Sequence, residues 1–155
     1  MNDKVTIRAA RDNDRDFIFE LSPRLAEVAQ LSWHNDDVVQ KMQDDYITEM
    51  LNQCSTPKTT LIAEHNSVRL GFIHARAHND SISGETCGTV TLLAVSPSSQ
   101  GIGVGKTLIT AAEAWAKNLG YRLLHLEVFS NNSNAYHFYQ SQGFKSETVH
   151  MIKPL

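Results

Sequence analysis

The sequence predicts an α/β (α+β) domain, a mixed sheet with helices on both faces, in the order β α α β β β α β α β. Three observations carry that reading: short alternating or β-rich runs punctuated by turn residues, longer stretches with apolar residues every three to four positions, and a glycine cluster between a strand and a helix. With 155 residues, 41% of them hydrophobic, and Gly 8, a single domain over residues 1–155 is expected, and a disordered or fibrous chain is excluded.

Residues 4–9 (KVTIRA) alternate polar and apolar as a half-buried strand does. DNDRD then supplies capping acids ahead of FIFELSPRLAEVAQ, a helix that Pro23 bends or restarts. Over residues 35–52 a second helix is predicted, with Val38, Val39, Met42, Tyr46, Ile47, Met50 and Leu51 on a buried face. Its other face carries Asp36, Asp37, Asp44, Asp45 and Glu49, either merely solvated or able to draw a cationic substrate. TTLIAEH (59–65) and VRLGFIHARAH (68–78), joined by Asn66 and Ser67, read as a hairpin, followed by the loop NDSISGET. GTVTLLAV (88–95) is the next strand. GVGKTLITAAEAWAKNLG reads as a helix with Val104, Leu108, Ile109, Ala112, Trp115, Ala116 and Leu119 on one side and Gly120 as its stop. YRLLHLEVF (121–129), nearly continuous in apolar residues, predicts a central strand covered on both faces. NNSNAYHFYQSQ is a short capped helix ended by Gly143, and FKSETVHMIKPL predicts a last strand.

Lys+Arg 14 against Asp+Glu 17, a net charge of -3, removes the electrostatic basis for nucleic-acid or polybasic membrane binding. No run approaches the roughly 18–20 apolar residues of a membrane span, and MNDKVTIRAARDND has no apolar core for export, so a cytoplasmic protein is expected. Cys54 and Cys87, without a CxxC, read as free thiols. No GxSxG elbow supports a hydrolase triad.

The richest signal is SPSSQGIGVGKTLI. After a strand and before a helix, glycines let the backbone approach a ligand, and the free N–H groups and dipole of the first helical turn attract phosphate oxygens. GVGKT is not the end of a P-loop, because GxxxxGK[ST] needs glycine where Gln100 stands. The dinucleotide fingerprint GxGxxG fails too, since Gly101, Gly103 and Gly105 run G-x-G-x-G. The pattern that fits is Q-x-x-G-x-G, from Gln100 to Gly105.

On these residues the chain resembles the GCN5-related N-acetyltransferase (GNAT) family, whose pattern is [RQ]-x-x-G-x-[GA]. LLAVSPSSQGIGVGKTLI is similar to the family's strand, loop and helix, and LEVFSNNSNAYHFYQSQGF to its second half, together spanning residues 88–145. The spacing of Glu127 and Tyr139 is similar to that of ribosomal-protein N-terminal acetyltransferases. The resemblance implies a mostly antiparallel central sheet, acetyl-CoA as cosubstrate, no metal, and direct acetyl transfer to a primary amine.

It further implies that the fourth strand splays from the fifth and that the pantetheine arm pairs there with the backbone of Leu93 and Val95, the Val95 amide polarising the thioester carbonyl. Gln100, Gly101, Ile102, Gly103, Val104, Gly105 and Lys106 would hold the pyrophosphate, with Lys106 adding charge or simply solvated. Tyr139 takes the place of the general acid, or packs beside Phe138. Asn132 takes that of a residue bonding the coenzyme arm, or caps its helix. Alkyl amines titrate near ~10, so a base is needed. Where many members carry a glutamate on the fourth strand this chain has Thr89, and the base falls to Glu127 or water it orders, a carboxylate costly to bury on a central strand unless paired or useful. His74 and His78, on one strand face, and Glu85 are candidates for the acceptor site; as metal ligands the two histidines lack a third at suitable spacing. The acceptor is a small-molecule or peptide amine, and the acidic groups Asp36, Asp37, Asp80 and Glu85 favour a cationic one. The short tail after Phe144 lacks the closing hairpin of the ribosomal-protein enzymes, so a homodimer, or the first helices, would complete the pocket. The alternative function is a non-catalytic acyl-CoA sensor.

Overall fold

The computed structural model describes residues 4–155; residues 1–3, part of the stretch read above for an export segment, lie outside the described residues. β1 (Thr6–Ala9) leads through a 3-10 turn at Asp12–Asp14 into α1 (Arg15–Glu20) and α2 (Ser22–Glu27). Pro23, in the first turn of α2, restarts the helix as expected, because that position has no intrahelical N–H partner to lose. α3 (Asp36–Asn52) starts at Asn35, whose side chain accepts the Val38 amide. β2 (Lys58–His65) and β3 (Val68–Asn79) are joined by Asn66 and Ser67, at φ 49° and 65°, the left-handed pair of a two-residue hairpin turn. β4 (Thr86–Val95), a 3-10 turn at Pro97–Ser99, α4 (Val104–Asn118), β5 (Leu124–Leu126) and α5 (Ser133–Ser141) complete the order.

The strands lie in the order β1-β2-β3-β4-β5, antiparallel except for the parallel β4–β5 pair. On one face Ile18, Leu21, Ile47 and Met50 of the N-terminal helices and the α1–α2 joint pack on Ile62, Phe72, Leu92 and Ala94. On the other, Val104, Leu108, Ile109 and Ala112 of α4 pack on Ala63, Ile73 and Val90. Val90 and Leu92 can serve opposite faces because Ala75 pairs with Val90 and His74 with Leu92, leaving Thr91 as a bulge. Thr91 Oγ1 pins it by donating to the His74 carbonyl, 3.1 Å away. Asp14, fully buried, binds Arg8 at 2.7 Å and Arg69 at 2.8 Å. The Arg8 guanidinium, with the Arg11 amide and Arg69, holds its carboxyl down to about 2 against the opposing effect of burial.

Three expectations are corrected. The strand expected at 121–129 is short, lies at the sheet edge and is only half-buried, so its apolar run serves one covered face and a loop rather than two covered faces. No strand forms after Phe144: Val149 and Met151 are 79% and 85% exposed, and alternation alone does not make a strand without an edge to pair with. On α3, Val38 and Met42 face outward, because Val39, Gln43, Ile47 and Met50 hold the buried stripe.

Candidate active site

The end of β4 and the start of α4 are joined by a loop held from below. Ser96 Oγ donates to Ser99 Oγ at 2.8 Å, the Ser99 amide donates to the Ser96 carbonyl, and buried Val104 anchors the far side. Between these anchors Gly101 and Gly103 sit at φ 82° and 84°, and a Cβ on either would meet nothing within 4 Å. Both glycines are therefore required by backbone conformation, and both border open space. Gly103 caps α4 with no side chain over its first amides, and no acidic residue stands in the first turn. Such a helix start attracts an anion. Gln100, Ile102 and Lys106 are exposed around it. Gly105 differs: a Cβ there would lie 3.2 Å from Phe138 Cζ, so this glycine lets α5 close on α4.

Beside the loop the sheet opens. β5 pairs with β4 only from Gly88–Leu124 to Val90–Leu126, whereas β3 follows β4 to Val95. The Ser96 amide donates to the Leu70 carbonyl on the β3 side. Antiparallel alternation then turns the backbone groups of Ala94 and Leu92 toward β3 and those of Leu93 and Val95 away from it, past the end of β5. A free strand edge thus runs directly into the glycine loop.

Tyr139, on α5, stands between Phe138 and Phe144, with ring centroids 5.4 and 5.8 Å away, and joins the α4-side core. Burial pushes its phenol up to about 12, so it stays protonated. Asn132 Oδ1 accepts the Ala135 amide at 3.2 Å, the cap its place in the sequence allows. Glu127 follows the last paired residue of β5 and is exposed, so the argument that a costly buried carboxylate marks the base does not hold. It lies close enough to Tyr46 of α3 to raise its phenol, after burial, with Arg76 opposing.

Residues 23–144 match the model of the Acetyltransferase (GNAT) family. The chain belongs to the GNAT acetyltransferase family. The mycothiol acetyltransferase of Actinosynnema mirum is 31% identical over 113 residues, 73% of this chain and 36% of that protein. That of Cellulomonas flavigena is 29% identical over 101 residues, 62% of this chain and 29% of the relative. The chain thus spans about a third of the length of these curated relatives. Among solved structures, a Pyrococcus furiosus protein described as an acetyl transferase superposes with a TM-score of 0.81 at 21% identity, over 98% of this chain and 100% of the other. An aminoglycoside N-acetyltransferase in complex with CoA, AAC(6')-Iy, gives 0.70 at 22%, over 99% and 97%. At such identities these structures speak for the shared fold.

Within this GNAT chain the remaining expected residues separate. His74 is wholly buried, its Nε2 3.3 Å from the Met50 carbonyl, so it lines no open site. Burial, then Lys58 and Arg76, bring its imidazole down to about 4. His78 and Glu85 lie at the opposite end of β4 from the glycine loop, where Glu85 binds Arg122. Tyr46 and Arg76, which the sequence does not mark as site residues, stand near Glu127 closely enough to act on one another's charge. Arg76 pairs laterally with Lys58 across β2–β3, and its buried Nε has no partner among the described residues. Val38, Lys41, Met42, Asp45, Tyr46 and Glu49 line an open groove of ≈ 450 Å³ on α3.

Proposed function

We propose that the chain is an acetyl-CoA-dependent N-acetyltransferase acting on a primary amine by direct transfer. The observation that carries this is the unpaired end of β4 running into two left-handed glycines at a bare helix start. That combination fits an extended arm ending in a pyrophosphate. The amides from Gly101 to Lys106 would hold the phosphates, with Gln100 and Ile102 flanking them, and the backbone of Leu93 and Val95 would pair with the arm. When bound, acetyl-CoA supplies a thioester whose carbonyl carbon accepts the amine.

The Val95 amide, turned away from β3, would polarise that carbonyl. Exposed Glu127, or water it orders, takes the proton the amine loses as the C–N bond forms. Tyr139 returns a proton to the sulfur as the C–S bond breaks, a role its protonated, partly buried phenol suits. Asn132 caps α5 and can still meet the coenzyme arm with its amide nitrogen.

The acceptor is read as a small-molecule or peptide amine; the curated relatives named mycothiol acetyltransferase and the aminoglycoside enzyme favour a small molecule. The protein is read as cytoplasmic and homodimeric, the second reading supported by apolar surface at Val38, Met42, Val149 and Met151. Thermal melts with acetyl-CoA, CoA and ATP plus magnesium test the coenzyme, since a ligand of the folded state raises stability. A rise with acetyl-CoA and CoA but not ATP, then CoA release with an amine panel, supports the reading. A rise without turnover on any amine points to the acyl-CoA sensor, and no rise removes both.

A further inference from the structure

At the end of the sheet away from the glycine loop, three potential ligands from distant parts of the chain converge. One ligand atom each of Asp80, Cys87 and His125 lies within 4.8 Å of the others, and His125 Nε2 is 2.8 Å from Asp80 Oδ2. Strand register explains the meeting. His78 pairs with Cys87, and Thr89, two residues along β4, pairs with His125, so His78, Cys87 and His125 share one sheet face. The His78 and His125 rings are 5.3 Å apart between centroids. Asp80 closes the group from the β3–β4 loop, and both Asp80 and Cys87 are buried.

We propose that this cluster is a binding site for one divalent transition metal of the zinc class, held by Asp80 Oδ2, Cys87 Sγ and His125, with His78 as the fourth ligand. The donor set decides the class: a thiolate and two imidazoles suit zinc, cobalt or nickel, whereas magnesium and calcium take oxygen ligands. Zinc bonds of ~2.0–2.3 Å put tetrahedral ligands about 3.5 Å apart, so the three converging atoms need draw together by only about 1 Å. Supporting bonds are also in place. Asp80 Oδ1 accepts the amides of Ile82 at 2.9 Å and Ser83 at 2.7 Å, fixing the carboxylate and leaving Oδ2 toward His125. His74, which the two-residue period sets on the same face as His78, is turned to Met50 and takes no part.

Binding exchanges the Asp80–His125 hydrogen bond for two metal bonds: the Cys87 thiol proton is released to solvent, and His125 presents the bare Nε2 of the tautomer that carries its proton on Nδ1; no redox step is involved. β5 is held to β4 through only three residue pairs, so the metal would tie the β3–β4 loop and β4 to the sheet's edge strand. It acts as a staple at the end of β4 remote from the coenzyme crevice, and does not depend on the acetyl-transfer reading.

The test is a cobalt(II) titration of the full chain after dialysis against a chelator. One equivalent should produce a thiolate-to-cobalt charge-transfer band and the strong visible bands of a tetrahedral site, both displaced by zinc, and zinc should raise the melting temperature. Cys87→Ser should lose the charge-transfer band, while Cys54→Ser, which alters the exposed cysteine, keeps it. His78→Gln should weaken binding about 10-fold or more. Circular dichroism checks that the variants fold; if Cys87→Ser does not, X-ray absorption of the zinc-loaded native chain, which should show one sulfur ligand at about 2.3 Å, replaces it. Absence of the charge-transfer band in the native chain, its survival in folded Cys87→Ser, or cobalt bound through histidine alone would overturn the proposal and leave Asp80–His125 an ion pair only.

Discussion

The β4–β5 junction has two ends that differ in kind. From Gly88 to Val90 the strands are paired, and the side chains of Cys87, His125 and Asp80 crowd together at that end. From Leu93 to Val95 the partner strand is gone, and the groups proposed to bind the coenzyme are main-chain amides beside open space at Gly101 and Gly103. Thr91 and His74 mark the boundary, where the bulge shifts the register. Recognition by backbone asks of the sequence only that certain side chains be missing. Recognition by side chains asks for particular residues, delivered from separate segments by the fold.

The largest effect that bears on this contrast belongs to Tyr139, the side chain proposed as proton donor at the open end. Tyr139→Phe keeps the ring contacts with Phe138 and Phe144 but removes the proton donor. A general acid contributes 10²–10⁴-fold, so kcat should fall about 10³-fold, ~4 kcal/mol, while the acetyl-CoA thermal shift remains. Steady-state CoA release and melts on one preparation measure both. Unchanged kcat would remove Tyr139 from the proposed mechanism.

The open end was legible in the sequence and the closed end was not, for the same reason. Gln100 to Gly105 are contiguous, and helix-start physics applies to six residues read in order. Asp80, Cys87 and His125 are brought together only by the β3–β4 pairing and the parallel β4–β5 crossover, which no local period encodes. Composition misled at two places. The apolar run over 121–129 predicted a central strand, yet sheet order is set by which edges remain free, and β5 took the edge. Of the two grounds for Glu127 as base, its spacing to Tyr139 stands, while the cost of a buried carboxylate falls with the central strand, because Glu127 is exposed.

His74 tests the boundary through pH. Its imidazole titrates at about 4 in the folded protein because of burial, Lys58 and Arg76, against an unfolded value near ~6.5. The unfolded chain therefore binds more protons between those values, and stability present above pH ~6.5 is lost as pH falls toward 4. The loss amounts to about 3 kcal/mol. His74→Gln should flatten that limb in urea melts at stepped pH and leave the loss below pH ~4 intact, since Asp14, held down to about 2 by Arg8, gives up its contribution there. An unchanged limb would mean that other groups set the acid response at the bulge.

Gly103→Ala is smaller and sharper. The added Cβ meets nothing, so the cost is the left-handed backbone alone, about 1–2 kcal/mol. Because that conformation aims the first amides of α4, the variant should also bind acetyl-CoA more weakly, read by calorimetry. A loss of stability with affinity unchanged would make Gly103 a helix cap and nothing more.

The smallest expected effect is at the closed end's surface. Arg122 binds Glu85 across the loop, with side chains 66% and 30% exposed. The Arg122 guanidinium, then the Ser83 hydroxyl, hold the Glu85 carboxyl below its usual range, but water and salt screen a pair so exposed. Arg122→Gln should therefore melt within error of the native chain at about 0.15 M salt, where the Debye length is ~8 Å. Melts at low and high salt give the control, since any contribution from this pair must shrink as salt rises. If instead the variant melted well below the native chain at low salt and the gap closed as salt rose, β5 would be held by its outer ion pair rather than by Asp80, Cys87 and His125. The closed end would then owe its strength to its surface, and the contrast with the open end would have to be drawn between two exposed edges.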